Sequence, residues 1–131
     1  MKARIAASLL ALTLLGLSLL FPASSVASPL LVYLNSARYE TLGFYSGVMV
    51  NATNAVPYAL NLVIFTVWAN DKGETLAVTT AGLTLAGGAN GIAFAPLLDP
   101  PTSGHYVVLV FVWTTSGAPV SGVMTLSLYI V

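Results

Sequence analysis

The chain has 131 residues, 57% of them apolar and only 6% charged, with four basic and four acidic side chains and no cysteine. This length supports one domain-sized core, and the missing thiols exclude a disulfide framework, a thiolate metal site and a cysteine-linked lipid anchor. Lys2 and Arg4 sit at the extreme N-terminus, so the remainder sets Arg38 and Lys72 against Glu40, Asp71, Glu74 and Asp99, two positive and four negative; nucleic acid, which needs clustered cations, is excluded as a partner.

In chain order, Lys2 and Arg4 precede an uncharged apolar run from Ile5 to Phe21, which Pro22 breaks before Ala23-Ser24-Ser25-Val26-Ala27. A positive start, an apolar centre and small residues at Ser25 and Ala27 form the pattern of a secretory signal peptide over 1–27, cleaved after Ala27. The 17-residue run also reaches the short limit for spanning a bilayer, so an uncleaved anchor is the alternative, and the one way a membrane enters the reading. Residues 28–131 are then a secreted or cell-surface domain.

Seven segments of the exported part are rich in Val, Leu, Ile, Thr or aromatics and bounded by Gly, Pro, Asn, Asp or Ser, which predicts strands. They run approximately over 30–35, 44–52, 60–70, 75–85, 91–95, 105–115 and 120–131. Asn70-Asp71-Lys72-Gly73 reads as a hairpin turn with Gly in the left-handed position; Gly87-Gly88-Ala89-Asn90-Gly91 and Thr115-Ser116-Gly117-Ala118-Pro119 are the other short links. Such links predict antiparallel pairing of sequence neighbours. In the fourth segment the apolar phase slips from Leu76 and Val78 to Leu83 and Leu85, which suggests a bulge or a change of sheet near Ala81-Gly82.

Between the fifth and sixth segments lies Asp99-Pro100-Pro101-Thr102-Ser103-Gly104-His105-Tyr106-Val107-Val108. This stretch resembles the P-x-G-x-Y-x-V tract of secreted immunoglobulin-like and fibronectin-type sandwiches. The resemblance implies an all-β, seven-stranded antiparallel immunoglobulin-like β-sandwich with Tyr106 at a structural corner, its hydroxyl bonded back to the loop. The Cys…Trp…Cys spacing of true immunoglobulin domains is absent, so architecture is implied and no activity. The same tract, with the run Val107 to Trp113 and the following Thr-Ser-Gly, also looks like small exported archaeal surface proteins, some of which polymerise into threads or pili.

The two strongest strands are apolar on both faces, whereas a sandwich strand normally alternates core and solvent. Leu62, Ile64 and Trp68 oppose Val63, Phe65 and Val67; Val108, Val110 and Val112 oppose Val107, Leu109, Phe111 and Trp113. Either the chain's own loops cover the outer faces, or their side chains are simply tolerated as scattered surface hydrophobes, or another copy, another cell-surface protein or a membrane surface covers them. Cleavage after Ala27 would also expose Ser28-Pro29 and then Leu30, Leu31, Val32, Tyr33 and Leu34, an uncharged segment suited either to its own sheet or to strand addition onto a neighbour.

The sequence declares no catalytic constellation. His105 is the single histidine, and a set with Asp99 and Ser103 would be crowded into one loop-to-strand segment without a nucleophile elbow. The turn carboxylates Asp71 and Glu74 lack a calcium-loop pattern. No cofactor is expected. Trp68 and Trp113, with Phe44, Tyr45 and Tyr39, read first as core or sheet-edge packing; as the alternative, Trp68 and Trp113 are the candidate interaction aromatics of a platform for sugar or protein. Asn51-Ala52-Thr53 is a glycosylation sequon, with Asn51 out of phase with Val48, Val50 and Ala52 and therefore outward. These observations predict a non-enzymatic exported protein that works by contact, with itself or other surface proteins, the alternative being an extracellular carbohydrate- or ligand-binding module and the least favoured a small secreted hydrolase.

Overall fold

A computed structural model of the chain describes residues 30–131, so the segment read as a signal peptide lies outside the described residues. Seven strands follow in order: β1 (Val32–Leu42), β2 (Tyr45–Asn54), β3 (Leu60–Asn70), β4 (Thr75–Leu85), β5 (Asn90–Pro96), β6 (Gly104–Thr114) and β7 (Met124–Ile130). All pairings are antiparallel, in a three-stranded sheet ordered β1-β2-β5 and a four-stranded sheet ordered β4-β3-β6-β7. Period-2 alternation turns one face of each sheet inward. Val48, Val50 and Ala52 of β2 meet Leu62, Ile64 and Trp68 of β3 and Val108, Val110 and Val112 of β6 in one core.

β3 and β4 lie over the predicted segments, joined by the predicted hairpin: Gly73 has φ +80° and its amide donates to the Asn70 carbonyl (3.0 Å), while Asn70 Oδ1 accepts from the amides of Lys72 and Glu74. Other elements differ from the expectation. β1 runs on to Leu42 because its register shifts between Leu34 and Ser36, leaving Asn35 as the extra residue of a bulge. The bulge restores the inward phase, so Val32 and Leu34 before it and Ala37 and Tyr39 after it all face the core.

No bulge or change of sheet occurs at Ala81-Gly82, where β4 pairs with β3 without interruption; the irregularity is at the other end, opposite Trp68 and Ala69. Ala77, Ala81, Leu83 and Leu85 face inward and Leu76 and Val78 simply face out. The glycine-rich link after β4 carries the chain across to the other sheet rather than closing a hairpin, since β5 pairs with β2. β7 begins at Met124 instead of Val120. Val120 is a buried crossover residue whose amide donates to the Val112 carbonyl and whose own carbonyl accepts from the amides of Leu31 and Val32, each at 3.0 Å.

Two polar residues fasten the ends of the sandwich. Asn54, fully buried, donates from Nδ2 to the carbonyls of Tyr58, Leu85 and Ala86 (2.8, 3.1 and 3.2 Å) and accepts from the Val56 amide, tying the end of β2 to the loop after it and to the end of β4. Tyr106 packs edge-on against Trp68, and its hydroxyl donates to the Thr102 carbonyl at 2.7 Å, holding the proline-rich loop to the start of β6.

Candidate interaction surface

The outward faces of the two sheets differ in their charged and amide side chains. The outer face of β1-β2-β5 carries the ion pair Arg38–Glu40 and an amide cluster in which Asn35 Nδ2 donates to Asn51 Oδ1, Thr53 Oγ1 and Asn90 Oδ1 (2.8, 2.7 and 3.2 Å). The same face also carries Tyr33, Leu42, Met49, Ile92 and Phe94, with Ile92 58% exposed, so polar and apolar side chains are mixed on it. The outer face of β4-β3-β6-β7 carries no Lys, Arg, Asp or Glu, its histidine His105 lying at the start of β6: the remaining described charges lie in the β3–β4 hairpin (Asp71, Lys72, Glu74) and the β5–β6 loop (Asp99).

Register lays out this second face row by row. Val63 stands between Gly82 and Trp113, Phe65 between Thr80 and Phe111, and Val67 between Val78 and Leu109. Further along β6, Val107 faces Ser127 and His105 faces Tyr129. Phe65 and Phe111 stack at 5.3 Å between ring centroids, with Trp113 edge-on to Phe65 at 5.6 Å. These contacts shield the rings from one side only. Leu109 and Trp113 remain 37% and 38% exposed, and Val78 and Val123 at the margins 58% and 64%. Val63, Phe65, Val67, Val107 and Phe111 are half-buried, and the described loops do not cover the exposed residues of the face.

Each sequence-singled residue has a definite place. Trp68 and Trp113 lie on opposite faces of one sheet: Trp68 is 2% exposed, wedged edge-on between Tyr39 and Tyr106, and Trp113 belongs to the outer aromatic cluster. Phe44 and Tyr45 are exposed at the β1–β2 turn and join neither tryptophan in an aromatic contact, so the five aromatics do not form one platform. Leu30 and Leu31 lead into β1, whose Val32, Tyr33 and Leu34 pair with Asn54, Thr53 and Ala52. The second hydrogen-bonding edge of β1 has no strand beside it, and an open groove of about 330 Å³ runs there between Leu30, Tyr33 and Leu34 and the Gly122-Val123-Met124 segment. Asn51 points outward among the amide cluster.

His105 Nε2 pairs with Ser127 Oγ at 2.7 Å and its ring stacks on Tyr129 at 4.4 Å, which draws it to β7 and away from Asp99 and Ser103. Among the described residues no group of three His, Cys, Asp or Glu side chains is placed to hold a metal. A second concavity, about 500 Å³, lies where Trp68, Ala77 and Val78 meet Leu97, Pro100 and Thr102 of the β5–β6 loop; the Trp68 indole N–H, buried beside it, has no hydrogen-bond partner. Sequence reading singled out the apolar face but not its edges free of Lys, Arg, Asp and Glu, which depend on β4 and β7 bringing Thr80, Thr125 and Ser127 alongside β3 and β6. Asn54 was also missed, because the carbonyls that justify its burial come from segments up to 32 residues away. No family model matches the chain, and no curated protein matches it.

Proposed function

We propose that the chain is an exported, non-enzymatic structural protein of the cell surface, built as an immunoglobulin-like sandwich and working by protein contact. The observation that carries this reading is the open, aromatic-centred outer face of β4-β3-β6-β7, which holds no Lys, Arg, Asp or Glu. A monomeric soluble domain rarely exposes a contiguous apolar patch of this extent, and such patches mark interaction sites. The strand order supports the immunoglobulin-like reading, since sheets of three and four strands linked by crossovers are the arrangement that family shares. The tie from Tyr106 to Thr102 supports it too. Strand addition adds a second contact along the edge of β1 beyond Val32, the amides of Leu31 and Val32 being already bonded to the Val120 carbonyl, while Arg38 and Glu40 guard the far end. A glycan on Asn51 would sit on the opposite face and leave the contact surface free.

The test is retention at the cell envelope. Wild-type protein, starting at Ser28 by mass spectrometry, is expected to stay with washed cells; Leu109→Asp on the apolar face is expected to release it to the medium, and Met49→Asp on the outer face of β1-β2-β5 is not. Equal retention of all three would refute the reading.

The ligand-binding alternative rests on the cleft beside Trp68 and its unpartnered indole N–H. A buried donor lacking a partner calls for an acceptor from outside the chain. Were the protein a sugar-binding module, Trp113 would need hydrogen-bonding neighbours around its ring, and it has Val63, Phe65 and Phe111 instead.

A further inference from the structure

We infer that the outer face of β4-β3-β6-β7 pairs with the same face of a second copy, sheet on sheet about a two-fold axis. This rests on the reading of that face as the contact surface and names what contacts it. Three properties of the face favour its own copy over other occupants.

The first is charge. A surface that meets itself must not place like charges opposite one another, and this face has no Lys, Arg, Asp or Glu to place; His105 lies at the start of β6, away from the central rows, and Thr80, Thr125 and Ser127 on the edge strands are equally compatible with themselves. A partner chosen by charge would need a complementary pattern here, and a lipid surface would favour Lys or Arg at the margin, where Lys72 alone lies near, between Asp71 and Glu74.

The second is shape and extent. Four strands about 4.8 Å apart and about nine residues long make a sheet roughly 19 by 30 Å. That is roughly 570 Å² in plan, and side-chain relief brings it towards the roughly 800 Å² per partner of a stable interface. Two twisted sheets pack face to face at about 30° with their side chains interdigitated, the geometry this molecule already uses between its own sheets.

The third is where the anchors lie. Phe65, Phe111, Val67 and Leu109 occupy the two middle rows of the two middle strands, so a two-fold axis through the centre brings the aromatic pair of one copy onto the middle of the other. Large side chains clustered at the centre are the anatomy of a binding hot spot, with Thr80, Thr125 and Ser127 interspersed among Val78 and Tyr129 on the edge strands.

The test is sedimentation of the purified exported protein at micromolar concentration, with Leu109→Asp and Leu109→Lys alone and mixed in equal amounts. The wild type is expected to sediment as a dimer. Each variant alone sets two like charges near the axis and is expected to weaken dimerisation by about 100-fold or more, with an unchanged far-ultraviolet circular dichroism spectrum; the mixture is expected to regain the dimer as an opposite-charge pair. Recovery in the mixture also rules out misfolding as the cause of the single-variant loss. A wild type that stays monomeric overturns the inference, as does a dimer that survives in both variants or a mixture that fails to recover. If the wild type is monomeric and Leu109→Asp still releases the protein from cells, the face serves a different partner and the proposed function stands; if neither readout responds, both fall.

Discussion

At the residue scale the clearest case is Asn54. A buried amide is tolerated only when its donors and acceptor are satisfied, and here Nδ2 reaches three carbonyls while Oδ1 takes the Val56 amide. Asn54→Ala leaves those backbone groups unpaired in the interior, so we expect a loss of about 3 kcal/mol in chemical denaturation, with the oligomeric state of the remaining folded protein unchanged. None of this was legible beforehand. An asparagine two residues after Ala52 and three before Pro57 looks like any turn residue, and its partners Leu85 and Ala86 are brought to it only where the chain leaves β4 to cross to the sheet of β2. The Asn70 turn was legible because its partners are local: Asn-Asp-Lys-Gly carries its own hydrogen-bond acceptor and its own left-handed residue.

At the element scale, strands with uninterrupted alternation could be read and strands with a defect could not. β3 and β4 fall where Val, Leu, Ile and Thr runs meet the Asn70 turn. β1 was cut short at Asn35 because the bulge reverses the phase of the alternation, and Arg38 and Glu40 then look like loop residues although they sit on the outer face of a paired strand. The last strand was drawn too long for the converse reason: Val120 is apolar and buried, but it serves the crossover, and Ser121 Oγ accepts from the Val112 amide before the chain enters β7. On β6 the two faces are separable by mutation. Val110→Asp puts a carboxylate into the core and should cost more than about 4 kcal/mol or prevent folding, whereas Leu109→Asp, one residue earlier, should change monomer stability by less than about 1 kcal/mol. Thermal or urea denaturation at a concentration below dimer formation measures both. Similar losses at the two positions would mean that the outer face is part of the monomer's own stability.

At the scale of the whole molecule, the sandwich divides its surface in two. One sheet presents amides, an ion pair and the sequon alongside Met49, Ile92 and Phe94; the other presents Phe65, Phe111 and Trp113 without any Lys, Arg, Asp or Glu. The low charge content of the sequence is therefore not spread evenly but concentrated as a deficit on one face, which makes a surface sparing in charge intelligible as a surface meant to be covered. That the two strongest strands are apolar on both sides was plain from alternation; which side faces out, and that nothing of the described chain lies over it, required the strand order. The central claim is tested most directly by hydroxyl-radical footprinting of the protein on intact cells against the same protein diluted in buffer. The account predicts that Phe111, Trp113 and Leu109 are protected on cells while Met49 and Ile92 of the other sheet label equally in both states. Equal labelling of Trp113 in the two states would contradict it.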